Sequence, residues 1–465
     1  MTIVAGVDSS TQSCKVVVCD ADSGEVLRVG RAPHPDGTSV TAEAWLTAYR
    51  QATADPGLLS GVEAISVGGQ QHGMVTLDEN GGLVRDALLW NDNRSAPDAV
   101  DLIGELGGPQ AWADAVGSVP VAAMTVSKLR WLARNEPDNA ARTAQVVLPH
   151  DWLTWQVGGR SGPPVTDRGD ASGTCYFDAT TNRYREDLVE LAFGRRLGLP
   201  RVAAPAEVVG ETPEGVKLGP GTGDNMAAGL GLGLTPGSAV VSLGTSGTAF
   251  AQAGRQTRDP SGVVAGFADA TGAYLPLVCT LNGARNLAAT SRLLGVGFDE
   301  FSRLALGAPA GSEGLSFIPY LEGERTPPLP LAKGELVGLD LANFTAANIA
   351  RAAIEGILWS LANGLQTLTA HTGRIDRVIL TGGAAQSAAV QQIAPAVLGL
   401  PISVTGVEEG VAIGAARQAA WALTGELPDW PVPTQRQLQP SHDDEKAAQQ
   451  IHERYLGIVE AHFHR

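Results

Sequence analysis

The chain is short of basic residues. Its 465 residues include 33 Lys+Arg against 49 Asp+Glu, a formal net charge of −16 at pH 7. Nucleic acids and anionic membranes are bound through basic surfaces, so this balance argues against either one as the main partner. A nucleotide ligand stays open, because a few backbone N–H groups, one or two cations and Mg²⁺ can hold a phosphate locally.

Long apolar runs and paired cysteines are also missing. No apolar run approaches the ~20 residues of a membrane span, and the opening MTIVAGVDSS lacks the basic region of a secretion signal. The four cysteines are scattered, with Cys14 and Cys19 bracketing one predicted strand and no Cys-x-x-Cys pair. We therefore expect reduced thiols in a cytoplasmic protein, rather than a disulfide or a zinc site.

A weak internal repeat fits the two domains of roughly 200 residues that the length predicts. Residues 3–19 and 239–251 each predict an apolar strand, a turn of Gly, Ser, Thr or Asp, and a second apolar strand. The predicted strands at 62–69 and 377–383 both end in Gly-Gly. Two similar α/β halves are the duplicated plan of actin-like ATPases, in which the two polar turns face one cleft.

The first polar turn, Asp8-Ser-Ser-Thr-Gln-Ser13, follows the first predicted strand. Asp8 at the end of that strand can reach a Mg²⁺ ion or its water shell. The hydroxyls and backbone N–H groups of the turn can face phosphate oxygens. An ordinary hairpin with a polar tip is the alternative.

Polar residues after the strand 62–67 are candidate hydroxyl binders. Gln71 and His72 lie in Gly68-Gly-Gln-Gln-His-Gly73, and side chains at such strand ends face the ligand crevice of a doubly wound sheet. Trp90, in LLWNDNR, can stack on the apolar face of a small carbohydrate. The alternatives are a hydrogen-bonded structural histidine and a packed surface tryptophan.

Residues 220–248 combine an acid with a second polar turn. Asp224 lies in a glycine loop, and Gly244-Thr-Ser-Gly247 joins two apolar strands. The acid can accept a proton and the turn can cradle a phosphate. The small residues of 226–234 permit close helix packing, and 165–174 predicts a polar loop whose Arg168 and Asp170 line a pocket or pair with each other.

Two further features lie in the second half. Thr381-Gly-Gly-Ala384, after the strand 376–380, lets a base or a phosphate approach the backbone, or is simply a tight turn into a helix. Thr345 predicts the N-cap of a helix over 346–369, and a last helix is predicted at 444–463.

Together these residues resemble the FGGY carbohydrate kinase family, and in particular its bacterial xylulokinases, from Val4 to about Thr424. The family's C-terminal signature is matched by GELVGL at 334–339 and, after eight residues, NIARAAIE at 348–355. Residues 242–248 and 323–327 also resemble family motifs. The N-terminal signature departs at Ala123 and is matched by Thr125, Lys128, Leu129, Trp131, Leu132 and Asn135.

The resemblance implies an α/β protein with the duplicated ribonuclease-H-like, actin-like ATPase fold, its two domains placed around a central cleft. It implies a sugar-binding domain at 1–235, a nucleotide-binding domain at 236–427 and a tail at 428–465 with a terminal helix. The implied reaction transfers the γ-phosphoryl group of ATP, with Mg²⁺, to a terminal hydroxyl of a ketopentose such as D-xylulose. A homodimer is compatible with the family.

The resemblance also implies roles for single residues. Asp224 matches the catalytic base, and Asp8 matches the acid on the metal and phosphate side. Gln71 and His72 match the sugar-contacting pair, although relatives often carry Met in place of Gln71; Trp90 and Asn225 are further substrate candidates. The expected ATP-binding residues are Thr11, Gln12, Ser13, Lys15, Gly244, Thr245, Ser246, Gly382, Gly383 and Ala384.

Other functions stay open. An actin-like assembly or chaperone-type ATPase would use the same hairpins, but it has no need of the Gln71–His72 and Trp90–Arg94 clusters. A catalytically silent sugar sensor would have no need of Asp8 and Asp224. Among kinases, ribulose, glycerol, gluconate and related polyols are alternative acceptors, because a few hydrogen bonds decide which hydroxyl stereochemistry is bound.

Overall fold

The structure is a computed structural model that describes residues 1–407 and 409–463. The chain divides into two compact units. Unit 1 comprises Met1–Gly233, Gly254–Leu275 and Val407–Val432. Unit 2 comprises Leu234–Ala253, Pro276–Gly406 and Pro433–Arg465, of which His464 and Arg465 lie outside the described residues.

Unit 1 contains a mixed main sheet, several two-stranded ribbons and ten helices among its described residues. Its strands are Ile3–Ser9, Ser13–Asp20, Val26–Pro33, Ser39–Val40, Val62–Gly69, Val75–Leu77, Ala87–Leu88, Gln145–Val147, Val165–Asp167, Phe177–Asp178, Arg183–Tyr184, Arg201–Ala203, Gly210–Glu211, Lys217–Leu218, Thr222–Gly223 and Ala265–Ala268. Its helices are Glu43–Ala52, Ala96–Leu106, Pro109–Val116, Thr125–Asn135, Pro137–Arg142, Pro149–Val157, Arg168–Ser172, Glu186–Phe193, Asp224–Gly231 and Gly410–Thr424.

Unit 2 has a second mixed sheet. Its strands are Ser238–Leu243, Gly247–Ala251, Tyr274–Thr280 (which begins at the end of unit 1), Ser316–Ile318, Glu335–Val337, Arg377–Thr381, Ile402–Thr405 and Thr434–Leu438. Its helices are Ala284–Leu293, Phe298–Gly307, Ala346–Thr372, Ala388–Leu398 and His442–Phe463, with the 3₁₀ turns Ser312–Gly314 and Gly383–Gln386.

The two main sheets repeat one topology. In unit 1 the strand order is Gly210–Glu211, Lys217–Leu218, Val62–Gly69, Ile3–Ser9, Ser13–Asp20 and Val26–Pro33. In unit 2 it is Thr434–Leu438, Ile402–Thr405, Arg377–Thr381, Ser238–Leu243, Gly247–Ala251 and Tyr274–Thr280. In both, the second, third and fourth strands are parallel and the other neighbouring pairs are antiparallel. The predicted internal repeat is therefore confirmed.

The strand Ile3–Ser9 lies between two apolar layers because both of its faces carry small or β-branched residues. Ala5 and Val7 belong to one buried cluster, which contains Trp45, and Val4 belongs to another, which contains Trp430. Alternate residues of a strand point to opposite faces of the sheet. An apolar run without polar alternation is therefore what a strand covered on both faces requires.

Glycine allows two helices of unit 1 to touch through their backbones. A Cβ at Gly414 would overlap the carbonyl oxygen of Ala227, and one at Gly231 would overlap that of Gly410. The close packing expected of residues 226–234 is therefore confirmed. The helix Gly410–Thr424 provides the other side of the contact.

Three local predictions have different outcomes. Thr345 caps the helix Ala346–Thr372 by accepting a hydrogen bond from the Asn348 N–H at 3.2 Å, as expected. The polar loop expected at 165–174 is wrong, because Asp167 accepts the N–H groups of Gly169 and Asp170, both at 2.8 Å, and so caps a short helix. The expected terminal helix occupies His442–Phe463.

Two expectations concern thiols and membranes. All four cysteines are free, with Cys14, Cys19 and Cys175 buried and Cys279 half-buried, as predicted. Within residues 1–407 and 409–463, no helix has both the length and the apolar character needed to cross a membrane.

We predict that Gly414→Ala destabilises the protein by more than about 2 kcal/mol, because the new methyl group must push two helix backbones apart. The matched control is Gly104→Ala in the helix Ala96–Leu106, where a Cβ meets no atom within 4 Å. Gly104→Ala should raise the free energy of unfolding by about 0.5–1 kcal/mol, because alanine has a higher helix propensity than glycine. Urea unfolding followed by circular dichroism measures both, and equal unfolding free energies for the two variants would contradict the proposed contact.

Candidate functional site

Three parallel strands of unit 1 end at the same edge of the sheet. Asp8 lies opposite Gly68 in the register of Ile3–Ser9 with Val62–Gly69. Thr222 also lies opposite Gly68, on the other side of that strand. Asp8, Gln71 and Asp224, which stand at or just beyond these strand ends, are therefore brought to one edge, where ligands bind in open α/β sheets.

Asp224 is the first residue of its helix and is tied to the sugar candidates by hydrogen bonds. The Asn225 backbone N–H donates to Asp224 Oδ1 at 2.8 Å. The Asn225 side-chain amide donates to Asp224 Oδ1 at 3.1 Å and to Gln71 Oε1 at 2.8 Å. Three residues predicted separately therefore form one hydrogen-bonded group, and Gln71 joins it through its side chain.

The environment of Asp224 raises its pKa towards neutrality. Burial, followed by the negative charges of Asp8 and Asp170, raises its pKa to about 7. The side chain remains partly accessible to solvent. A carboxyl group with a pKa close to the working pH can take up and give back a proton efficiently.

Asp8 lies at the start of the first polar turn and is 4% exposed. The Ser10 N–H donates to its Oδ1 at 3.0 Å, and the Ser10 hydroxyl donates to the same oxygen. Burial raises the pKa of Asp8, and the Ser10 hydroxyl and the Lys15 cation partly offset this. Its Oδ2 lies 3.6 Å from Lys15 Nζ, beyond hydrogen-bond distance.

Lys15 connects Asp8 to an acid that sequence reasoning missed. Its Nζ lies 2.8 Å from Oε2 of Glu409, which also pairs with Arg31. Glu409 immediately precedes the helix Gly410–Thr424. No local pattern could have identified it, because its partners lie at the other end of the chain.

The first polar turn is hydrogen-bonded to the segment Trp90–Arg94. Trp90 Nε1 donates to Thr11 Oγ1 at 2.8 Å. Asp92 accepts from Arg94 Nε at 2.8 Å, so these two charged side chains pair with each other. Gln12 is exposed and Ser13 is half-buried. Stacking of a sugar on Trp90 stays a prediction.

His72 is held in an unusual backbone conformation. Its φ is +65°, and its Nδ1 lies 2.8 Å from the Gly173 carbonyl oxygen. Its own carbonyl accepts hydrogen bonds from Thr125 Oγ1 at 3.2 Å and from Lys128 Nζ at 2.9 Å. The ring lies half-buried, 5.3 Å from that of Phe267. A left-handed conformation at a non-glycine residue persists only where its surroundings impose it.

Lys128 supplies one of those restraints. It is fully buried, and burial lowers its pKa to about 7 although the Asp92 charge opposes the shift. Its ammonium group also donates to the Ala123 carbonyl. The sequence contained a signal for this residue, since Lys128 belongs to the matched motif, but the motif did not reveal that it binds the backbone of His72.

Unit 2 brings together the other predicted turns. Ser242 lies opposite Thr381 in parallel strands, so the turn Gly244–Ser246 and residues Gly382–Ala384 follow neighbouring strand ends. Gly382 has φ +93°, and a Cβ there would lie 2.7 Å from the Leu243 carbonyl. Thr245 and Gly383 are exposed. These loops therefore leave backbone groups open to a ligand.

Arg325 lies beside the second turn. Burial raises the pKa of the Cys279 thiol, and interactions with Arg325 and Ser246 partly offset that effect. The Thr326 hydroxyl donates to the Cys279 carbonyl at 3.0 Å. A cation and a serine hydroxyl thus lie around one side chain next to Gly244–Ser246.

Comparison with known proteins covers almost the whole chain. Residues 3–231 match the model of the FGGY family of carbohydrate kinases, N-terminal domain, and residues 239–423 match that of the C-terminal domain. A xylulose kinase of Streptomyces coelicolor is 45% identical over 439 residues, which cover 91% of this chain and 89% of the relative. One of Streptomyces rubiginosus is 43% identical over 440 residues, which cover 92% and 89%.

A solved structure is similar to this chain in both fold and sequence. The crystal structure of xylulose kinase from Bifidobacterium adolescentis has a TM-score of 0.89 and 42% sequence identity, and the match covers 97% of this chain and 99% of that one. The expected fold is confirmed, since FGGY kinases have the actin-like ATPase fold.

We predict a pH signature for Lys128. Its pKa is about 7 in the folded state and about 10.5 in the unfolded chain, so the unfolded state binds more protons between these values. Stability due to this residue therefore rises with pH in that window. The unfolding free energy of the wild type, measured relative to Lys128→Met, should increase between pH 7 and 9.

Urea titrations at several pH values measure this difference. The matched control is Lys333→Met, which removes an exposed lysine and should differ from the wild type by a constant amount. A constant difference for Lys128→Met as well would show that its ammonium group is not desolvated.

Proposed function

This chain belongs to the FGGY family of carbohydrate kinases, and we propose that it transfers the γ-phosphoryl group of ATP to a terminal hydroxyl of D-xylulose, forming D-xylulose 5-phosphate. The observation that carries the proposal is the hydrogen-bonded group of Asp224, Asn225 and Gln71 at the sheet edge that also carries Asp8. Phosphoryl transfer needs positioning and charge neutralisation more than covalent chemistry from the protein.

Asp224 acts as the general base in this proposal. It takes the proton of the attacking hydroxyl as the oxygen–phosphorus bond forms and the bond from phosphorus to the leaving ADP oxygen breaks. Its pKa of about 7 supports this role, because a useful fraction is ionised at neutral pH. Asn225 orients the carboxylate, and Gln71 links it to the neighbouring sugar candidate His72. Trp90 completes the proposed acceptor site.

FGGY kinases use ATP, and we assign its phosphates to the polar turns. The first set of residues is Thr11, Gln12, Ser13 and Lys15; the second is Gly244, Thr245, Ser246, Gly382, Gly383 and Ala384. Backbone N–H groups, hydroxyls and a lysine are suitable phosphate donors.

The residues around Asp8 fit a Mg²⁺ ion. Ser10 occupies one carboxylate oxygen, whereas the other lies 3.6 Å from Lys15. Mg²⁺ bound to nucleotide phosphates needs only one or two protein carboxylates. The ion would neutralise phosphate charge. Asp8 would hold it directly or through water.

The functional division follows the predicted domains. We propose that 1–235 binds the sugar, that 236–427 binds the nucleotide, and that 428–465 forms a tail whose described part ends at Phe463. A cytoplasmic location, consistent with four free thiols, and a homodimer are further parts of the proposal. Light scattering on the purified protein tests the dimer.

We predict that the purified protein releases ADP in the presence of D-xylulose and that Asp224→Asn lowers kcat by about 10²–10⁴-fold. A coupled assay over ketopentoses, polyols and aldonates measures both. The control is Asp98→Asn, a buried acid of the same unit that pairs with Arg134, and it should keep the wild-type rate. If ribulose, glycerol or gluconate is turned over faster than D-xylulose, that compound is the acceptor instead. If no sugar changes the rate of ADP release, the protein belongs to a different class of actin-like ATPase.

We predict that Asp8→Asn raises the Mg²⁺ concentration needed for half-maximal activity by about tenfold or more, because it removes a metal-binding carboxylate. Titration of Mg²⁺ at fixed ATP and sugar measures it. Asp98→Asn again serves as the control. An unchanged Mg²⁺ requirement would remove Asp8 from the metal site.

A further inference from the structure

A cluster of ionisable side chains lies buried behind the strand that leads to Asp224. His150 is fully buried; its Nδ1 lies 2.7 Å from Asp170 Oδ2, and its Nε2 lies 3.2 Å from Asp151 Oδ1. Asp167 Oδ1 is 4.0 Å from the same Nε2. None of these residues has a part in the proposed reaction. The acid–histidine cluster consists of His150, Asp151, Asp167 and Asp170.

Three carboxyl groups around one imidazole favour a charged histidine. Burial opposes that charge, but Asp151, Asp170 and Asp167 outweigh it and raise the pKa of His150 to about 9. Burial raises the pKa of Asp151 to about 7 and that of Asp170 to about 6. The buried Tyr176 and the half-buried Tyr184 also face these acids. The cluster therefore places one cation among three carboxyl groups inside the protein, an arrangement that is rarely more stable than an apolar core.

The cluster contacts the segment that leads into Asp224. Thr222 Oγ1, two residues before Asp224, donates to Asp167 Oδ2 at 2.7 Å. A Cβ at Gly221 would lie 2.5 Å from His150 Cδ2, and one at Gly69 would lie 2.8 Å from His150 Cβ. His150 thus packs against Gly69, the last residue of one strand, and against Gly221, which immediately precedes the strand Thr222–Gly223. Asp170 is one of the charges that act on Asp224.

We propose that the acid–histidine cluster positions Asp224 through the strand Thr222–Gly223 and sets the charge around it. Asp167 fixes the strand through the Thr222 hydroxyl. The charge of Asp170 acts on the Asp224 carboxyl group, and His150, which lies 2.7 Å from Asp170, opposes that charge. The inference rests on the proposed role of Asp224 as the base. In it, the residues of the acid–histidine cluster affect catalysis without touching the substrate. They are positioning residues.

The first test removes one hydroxyl. Thr222→Val keeps the shape of the side chain but cannot donate to Asp167, so kcat with D-xylulose should fall about tenfold while KM for ATP is unchanged. Thr222→Ser restores the donor and should recover most of the loss. Equal rates in the two variants would overturn the positioning link.

The second test follows the pH profile of kcat/KM, which reports ionisations of the free enzyme. A base must be deprotonated, so activity should rise with pH through about 7, the pKa of Asp224. His150→Gln removes a positive charge and should move this rise to higher pH. Asp170→Asn removes a negative charge and should move it to lower pH, each by about 0.5–1 unit.

The control is Glu355→Gln, a buried acid of unit 2 that pairs with Arg351. It should lower stability and leave the pH profile in place. The inference would be overturned if the folded His150→Gln and Asp170→Asn variants had the pH profile of the wild type, or if both profiles shifted in the same direction. It would also be overturned if Glu355→Gln shifted the profile by the same amount. If either cluster variant fails to fold, the Thr222 pair decides. A wild type without sugar-dependent ADP release would instead refute the proposed function.

Discussion

The parallel pairing of Val62–Gly69 with both Ile3–Ser9 and Thr222–Gly223 is the constraint on which the unit 1 site depends. Neighbouring strands lie ~4.8 Å apart, so the outer two are separated by about 10 Å. That spacing puts one acid on each side of the strand leading to Gln71. Any slip in register would change which side chains reach the edge. Unit 2 repeats the same device with Ser238–Leu243 and Arg377–Thr381.

Buried charge is the second theme of unit 1. Three buried or half-buried cations there bind different parts of the site: Lys15 bridges Asp8 and Glu409, Lys128 holds the His72 carbonyl, and His150 lies among three acids. Such groups are costly to desolvate, and apolar packing would often serve stability as well. Their arrangement is better explained by the geometry that they impose on the polar edge than by a gain in stability.

The sequence predicted the features of the fold that depend on short-range interactions. Hairpins, Gly-Gly strand ends and the Thr345 cap follow from short-range alternation and turn chemistry, and Asp224, Asn225 and Gln71 proved to be hydrogen-bonded together. Contacts between residues far apart in the sequence were not predictable. Lys128 and His72 are 56 residues apart, and Arg31 and Glu409 are 378 apart. The helix Arg168–Ser172 was missed because its five residues show no helical periodicity and depend on the cap at Asp167.

The last segment of unit 1 in the sequence, Val407–Val432, covers one face of the first strand. The helix Gly410–Thr424 covers the face of Ile3–Ser9 so closely that Gly6 has no room for a Cβ beside Ala412 and Ala416, and Gln418 accepts a hydrogen bond from Ser66 at 2.6 Å. A ribosome adding 5–20 residues per second needs about 20–80 s to go from Ser9 to Thr424. For that time the first strands synthesised keep an uncovered apolar face. The nascent chain therefore depends on protection from aggregation until the helix Gly410–Thr424 has been synthesised.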